Sequence, residues 1–249
     1  MTWLTFMVMS VALLIWVWLT HQSIPEPNLT TIGLVVLVGL FSFGSNVFDV
    51  LSLRRNDLSL REPLMGFEPI SAGLLAYLLF PDQRKLAYLI AFVLGFFVAR
   101  WGINRRKLKK SQKKGLVYLW IGVLLYAVLP SIYQIALEHI SPSWLALLRC
   151  LLVLVLVTLF FAPKNLAKQL TLRRFNYTVV AGVFYAIGAV VSMYAISIYG
   201  VALTMLFLML GPALRYLSGY FILGENVRRG EVLSSLMLAV IVAMAAFAG

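Results

Sequence analysis

The sequence predicts an all-α, polytopic integral membrane protein of about nine transmembrane helices, built as an inverted repeat of four plus five. Three observations predict it. Of the 249 residues, 62% are hydrophobic and 12% charged, more apolar surface than a soluble domain of this length encloses in one core. Apolar runs of about 20 residues, the length that crosses a bilayer, follow one another with short polar gaps. Lysine and arginine gather in alternate gaps, as topology signals do.

The runs cover 2–20, 31–53, 60–80, 84–103, 115–139, 142–163, 175–198, 200–223 and 230–248. The first has no Lys or Arg ahead of it and no small-x-small cleavage site after Thr20-His21-Gln22, so it reads as a helix rather than a cleaved leader. In the second, Ser42, Ser45, Asn46, Asp49 and Ser52 fall three and four apart on one helical face, which must line a cavity or a helix contact instead of lipid. The third holds Glu68-Pro69 and the eighth Gly211-Pro212. Proline removes a backbone donor and disturbs the turn behind it, so Pro69, Gly211 and Pro212 are hinge candidates. The fifth groups Tyr126, Tyr133 and Gln134 around Pro130, either as one wall of a cavity or as core packing. The sixth carries Arg149. Gaps this short leave no room for a separate soluble catalytic domain.

Seventeen of the 21 basic residues lie on one side: Arg54, Arg55 and Arg61, then Arg100 and the seven within 105–114, then Lys164, Lys168, Arg173 and Arg174, then Arg228 and Arg229. Arg84 and Lys85 lie on the other, and Arg149 and Arg215 fall within predicted helices. The N-terminus is therefore expected in the cytoplasm and the C-terminus outside, in a bacterial-type cytoplasmic (inner) membrane. The net charge of +12 is spread over the gaps, not gathered on a folded face, so no nucleic-acid partner is expected. The linker at 104–114 reads first as a topology anchor and second as a site for anionic lipid headgroups. With one cysteine, Cys150, and two histidines, His21 and His139, no disulfide, metal centre or cofactor is expected. The other expected partners are a small-molecule substrate and a second copy of the chain as a homodimer.

Laid over itself with a shift of 143 residues, the chain matches without gaps. Gly39 falls on Gly182, Phe41 on Phe184, Val47 on Val190, Pro69 on Pro212, Tyr77 on Tyr220, Asp82 on Glu225 and Lys85 on Arg228. The domains expected are a first repeat at 1–103, the basic linker at 104–114 and a second repeat at 115–249. The helix at 115–139 has no counterpart ahead of Met1, either because the first half lacks it or because the sequence starts late. One repeat unit and its linker cross the membrane an odd number of times, so matched segments point in opposite directions, the arrangement from which many secondary transporters build alternating access.

The run from Leu210-Gly211-Pro212-Ala213-Leu214 to Leu223-Gly224-Glu225-Asn226-Val227, closed by an apolar helix, resembles the fourth and fifth helices of an EamA repeat of the drug/metabolite transporter superfamily. Ser141-Pro142-Ser143-Trp144-Leu145-Ala146-Leu147-Leu148-Arg149 resembles the start of that repeat's second helix. The resemblance covers five helices at 115–248 and four at 2–103, and it implies a transporter in which Arg149 holds the fold. Position 6 is Phe where the repeat partner carries Arg149. Ten-helix members have both termini in the cytoplasm, whereas the basic linker here argues for the reverse, so direction of transport does not carry over.

Charges within the spans are the functional pointers, each costing about 2.5–3.5 kcal/mol at the bilayer centre on insertion scales. Asp49 lies on the polar face, either in a substrate pathway or as hydrogen-bonding glue between helices. Glu68, beside its proline, either takes up and releases a proton or forms a salt bridge with Arg215. Arg149 either captures an anionic group or pairs with Glu138. The function expected is a secondary active transporter, proton-coupled or exchanging, of a small metabolite or amphipathic compound. The alternatives are a flippase of a lipid-linked substrate and a non-transporting membrane subunit. No intramembrane protease, acyltransferase or metal-ligand motif is present, so no enzyme is expected.

Overall fold

The computed structural model describes residues 2–55, 65–103, 110–161, 171–211, 214 and 229–248, and every regular element among them is helical. In chain order they are α1 (Thr2–Leu19), α2 (Leu29–Leu53), α3 (Phe67–Leu79), a 3-10 turn (Pro81–Gln83), α4 (Leu86–Ile103), α5 (Lys110–Leu137), α6 (Pro142–Phe160), α7 (Leu172–Leu208) and α8 (Arg229–Ala248). Four described stretches are long and apolar enough to cross a membrane: Leu29–Leu53, Lys113–Leu137, Pro142–Phe160 and Phe175–Leu208. Shorter apolar helices occupy Trp3–Leu19, Phe67–Leu79, Leu86–Val98 and Leu236–Phe247. Large apolar side chains such as Leu14, Phe184, Leu236 and Phe247 are exposed, the outward grease of an integral membrane protein.

Local chemistry explains the ends. Asn28 accepts the Thr31 N–H on its Oδ1 at 2.7 Å, an N-cap bond that starts α2. Pro142 opens α6, where its missing N–H is one the helix does not need. His21 ends α1 in the left-handed region at φ 47°, the usual way a helix stops. Arg84 folds back on α3, donating through Nε to the Tyr77 carbonyl at 3.1 Å and through Nη2 to the Leu78 carbonyl at 2.8 Å. A basic residue thus satisfies the open carbonyls of a helix C-terminus.

Two of the expected spans bear on the site through their ends. The third was expected over 60–80; its described helix begins at Phe67 after an N-cap at Gly66, so Pro69 stands in the first turn. There its missing donor costs nothing, because the first four N–H groups of any helix lack an acceptor within it. The seventh and eighth, expected at 175–198 and 200–223, are two helices within α7 that meet at a kink at Gly200, whose φ 76° and ψ 172° are not helical, the boundary that the sequence predicts.

The chain divides into two compact units. The first comprises Met1–Phe43 and Ile132–Ile198. Its core is α1 against α6. Phe6, Met9, Ser10, Leu13 and Val17 form a buried stripe on α1, and Ser143, Ala146, Leu147, Cys150, Val153 and Val157 form its counterpart on α6, both at the three-and-four spacing of one helical face. Trp3 Nε1 donates to Thr158 Oγ1 at 2.8 Å and Trp16 Nε1 to Ser143 Oγ at 3.1 Å, so the two helices run antiparallel. Gln22, after α1, donates to Tyr194 Oη at 2.8 Å and accepts from Ser141 Oγ at 2.7 Å.

The second unit comprises Gly44–Ser131 and Tyr199–Gly249. Within it α4 packs on both α3 and α8. Phe92, fully buried, lies over Gly73, where a Cβ would collide with its ring. Phe67 stacks edge-on with Phe96 at 5.1 Å and tilted against Trp120 at 5.2 Å, which fixes the start of α3 between α4 and α5.

Candidate functional site

In the second unit α2, α3 and α5 line a partly open cavity of about 60 Å³. Ser45, Asn46 and Asp49 reach it from α2, Met65 from just ahead of α3, Glu68 from the first turn of α3, and Leu119, Gly122, Val123 and Tyr126 from α5. The α5 set falls at i, i+3, i+4 and i+7, one helical face. On α2 the spacing of Ser45 and Asp49 gives the same result, and this face turns inward: Ser42, Ser45 and Ser52 are buried while Val36, Leu37, Leu40 and Leu53 are exposed. The distribution inverts that of a soluble helix, as lipid requires.

Gly122 lets α2 and α5 approach. A Cβ there would meet the Phe48 Cβ and the Ser45 carbonyl oxygen at 3.5 Å and the Asp49 amide nitrogen at 3.7 Å. Glu68 is the acidic residue in the first turn of α3, where the partial positive charge of the helix N-terminus favours a carboxylate. One turn along α5 from Gly122, Tyr118 packs against Phe48 at 6.3 Å, and the Arg55 guanidinium lies 5.2 Å over its ring. Two carboxylates, an amide, a hydroxyl and a phenol thus share one small space walled by leucine, valine and methionine.

Five of the predicted site residues, Ser45, Asn46, Asp49, Glu68 and Tyr126, meet in this cavity. Tyr133 and Arg149 lie in the first unit, where the guanidinium of Arg149 sits 5.5 Å over the Tyr133 ring and Tyr133 Oη is 3.5 Å from Ser42 Oγ. Tyr133 is buried, and Arg149 and Gln134 are half-buried. Pro69 is buried in the first turn of α3, and Gly211 has open space where a Cβ would stand. Pro212 and Arg215, and with Arg215 the expected pair to Glu68, lie outside the described residues. Met65, Leu119, Gly122 and Val123 were not singled out from the sequence; the repeat of Leu119, Gly122, Val123 and Tyr126 along one face was the available signal.

Helices long and apolar enough to cross a membrane, with charged groups turned into one small cavity, are those of an integral membrane protein. The EamA-like transporter family matches residues 113–247, more than half of the chain, and the chain belongs to that family. No curated protein matches it. The family belongs to the drug/metabolite transporter superfamily.

Proposed function

We propose that the protein is a secondary active transporter, proton-coupled or exchanging, of a small metabolite or amphipathic compound, with the α2–α3–α5 cavity as its coupling site. The observation that carries this reading is the convergence of Asp49 and Glu68 on one cavity of about 60 Å³. Such a space holds about two waters at roughly 30 Å³ each. It is far below the roughly 300–1,000 Å³ of small-molecule sites. Its size suits a proton exchanged on carboxylates, not a substrate chamber.

The chain crosses a bacterial-type cytoplasmic membrane nine times as an inverted repeat of four plus five, 1–103 and 115–249, with the N-terminus inside and the C-terminus outside. The antiparallel pairing of α1 with α6, which the 143-residue offset equates, supports this arrangement. So do two packing contacts made by glycines that the offset equates with helices that it also equates. Gly39 receives the side chain of Leu152, and its counterpart Gly182 receives Val8. The linker at 104–114 rests on anionic headgroups of the cytoplasmic leaflet.

A second reading, transport of a lipid-linked substrate, is favoured by a groove of about 720 Å³ between α4 and α8, lined by Leu94, Phe97, Val98, Leu233, Leu236, Met237, Val240 and Ile241. The test is uptake into proteoliposomes with and without a pH gradient, over amino acids, organic cations, nucleosides and lipid-linked sugars. Gradient-driven accumulation of one class, reduced about tenfold by Glu68→Gln, is the expected result. The same accumulation in Asp49→Asn and Glu68→Gln as in the unaltered protein refutes the coupling role.

A further inference from the structure

Gln83 carries a buried carboxamide, with 7% of its surface exposed. It ends the 3-10 turn between α3 and α4, and its Oε1 accepts the Ala202 N–H at 2.8 Å. That amide is among the first of the helical stretch that resumes after Gly200. Such amides have no acceptor in their own helix, and a buried one is costly to leave without a partner.

Gly200 makes the contact possible twice over. Its φ 76° and ψ 172° fall in a region open essentially to glycine. A Cβ there would also stand 2.7 Å from Gln83 Cδ and Nε2 and 2.9 Å from Oε1, so the carboxamide occupies the space that any other residue would fill. Thr204 Oγ1 donates to the Gly200 carbonyl at 2.7 Å, bonding the break to the turn that follows. Arg84, the next residue, anchors the turn by its two bonds to the last carbonyls of α3. Two consecutive side chains, one accepting and one donating, thereby seat two helix ends of opposite polarity.

We propose that Gln83 is a side-chain latch on the helix break at Gly200, holding residues 201–208 while its carboxamide caps Ala202 and freeing them when it swings out. A carboxamide on rotatable bonds leaves more readily than a backbone bond, and Gly200, without a side chain, gives no steric hold on it. The latch serves the rocking cycle of the transporter reading above, on which its purpose rests. Its chemistry is read without substrate, so failure of transport and failure of the latch are separate results.

Cys150 is the sole cysteine, so Cys150→Ser gives a blank background. In it Val201→Cys places a thiol at a fully buried position beside the latch. The purified protein is treated with a membrane-impermeant methanethiosulfonate reagent and the labelling rate followed. Gln83→Met, which keeps the volume and removes the acceptor, raises that rate about tenfold, the scale of one lost hydrogen bond. Gly200→Ala evicts the same carboxamide and gives the same rise, and the two together give no further rise. Equal rates with Gln83 and with Met, or effects that multiply in the double variant, overturn the latch. Amide exchange in the unaltered protein tests it with no substitution: a slow Ala202 amide is expected, and one as fast as those of exposed turns refutes it.

Discussion

Gly122 on α5 stands where a Cβ would lie 3.7 Å from the Asp49 amide nitrogen on α2 and 3.5 Å from the Ser45 carbonyl. These are ordinary van der Waals distances, so one methyl fits and a branched side chain does not. Gly122→Ala is expected to keep the melting temperature or raise it, since alanine favours a helix over glycine by about 1 kcal/mol. Gly122→Leu overpacks the crossing and fills the cavity, costing about 1–3 kcal/mol and gradient-driven transport with it. Thermal melts of both variants, beside uptake, check this; a leucine variant as stable and active as the alanine one contradicts the close crossing.

Asp49 and Glu68 are expected to separate function from stability. A carboxylate kept to exchange a proton is replaceable by its neutral isostere without loss of fold. Asp49→Asn and Glu68→Gln should therefore melt within a few degrees of the unaltered protein while losing their response to a pH gradient. Of the two, Glu68→Gln gives up the attraction of the α3 N-terminus, about 0.3–1 kcal/mol. Melting and transport lost together in both variants would make the pair structural glue.

The polar stripe of α2 was legible because a helical period is written directly into the spacing of Ser42, Ser45, Asn46, Asp49 and Ser52. The break near residue 200 was legible too, since the apolar runs stop on either side of it. Glu68 reads from the sequence as lying within a helix, and it stands in the first turn of α3, Phe67–Leu79. Apolar periodicity does not report where a backbone starts to coil when the residues ahead of it are also apolar. Gln83 carries no sequence signal: a turn glutamine becomes distinctive only through a partner on another helix. Arg84 was counted as a charge on the outer side, and its contacts with Tyr77 and Leu78 are what explain it.

Arg149 and Tyr133 should prove energetically coupled. The guanidinium lies 5.5 Å over the ring, an arrangement worth about 0.5–2 kcal/mol according to how far it is desolvated. A double-mutant cycle of Arg149→Met and Tyr133→Leu is expected to return a coupling of that size. Tyr133→Phe, which keeps the ring face and removes only the hydroxyl near Ser42, should retain most of the contact. Additive single effects would mean that the stacking holds nothing.

Gly39 and Gly182 are related by the 143-residue offset, and each accepts an apolar side chain from a helix that the same offset pairs. A Cβ on Gly39 would run into the Leu152 side chain, its Cγ at 2.7 Å. On Gly182 it would meet Val8 Cγ1 at 2.7 Å and Cβ at 2.8 Å, with the Thr5 carbonyl oxygen behind them at 3.3 Å. Gly39→Ala and Gly182→Ala should each destabilise by about 1–3 kcal/mol through overpacking. Truncating the intruding partner relieves the clash, so Gly39→Ala with Leu152→Ala should be more stable than the sum of its parts by about 1 kcal/mol or more. Gly182→Ala with Val8→Ala should recover less, because the Thr5 carbonyl is backbone and does not yield. Thermal melts of the six single and double variants decide it. Purely additive effects at both glycines would mean that the helices part to admit the methyl, and the two contacts would lose their standing as mates across an inverted repeat.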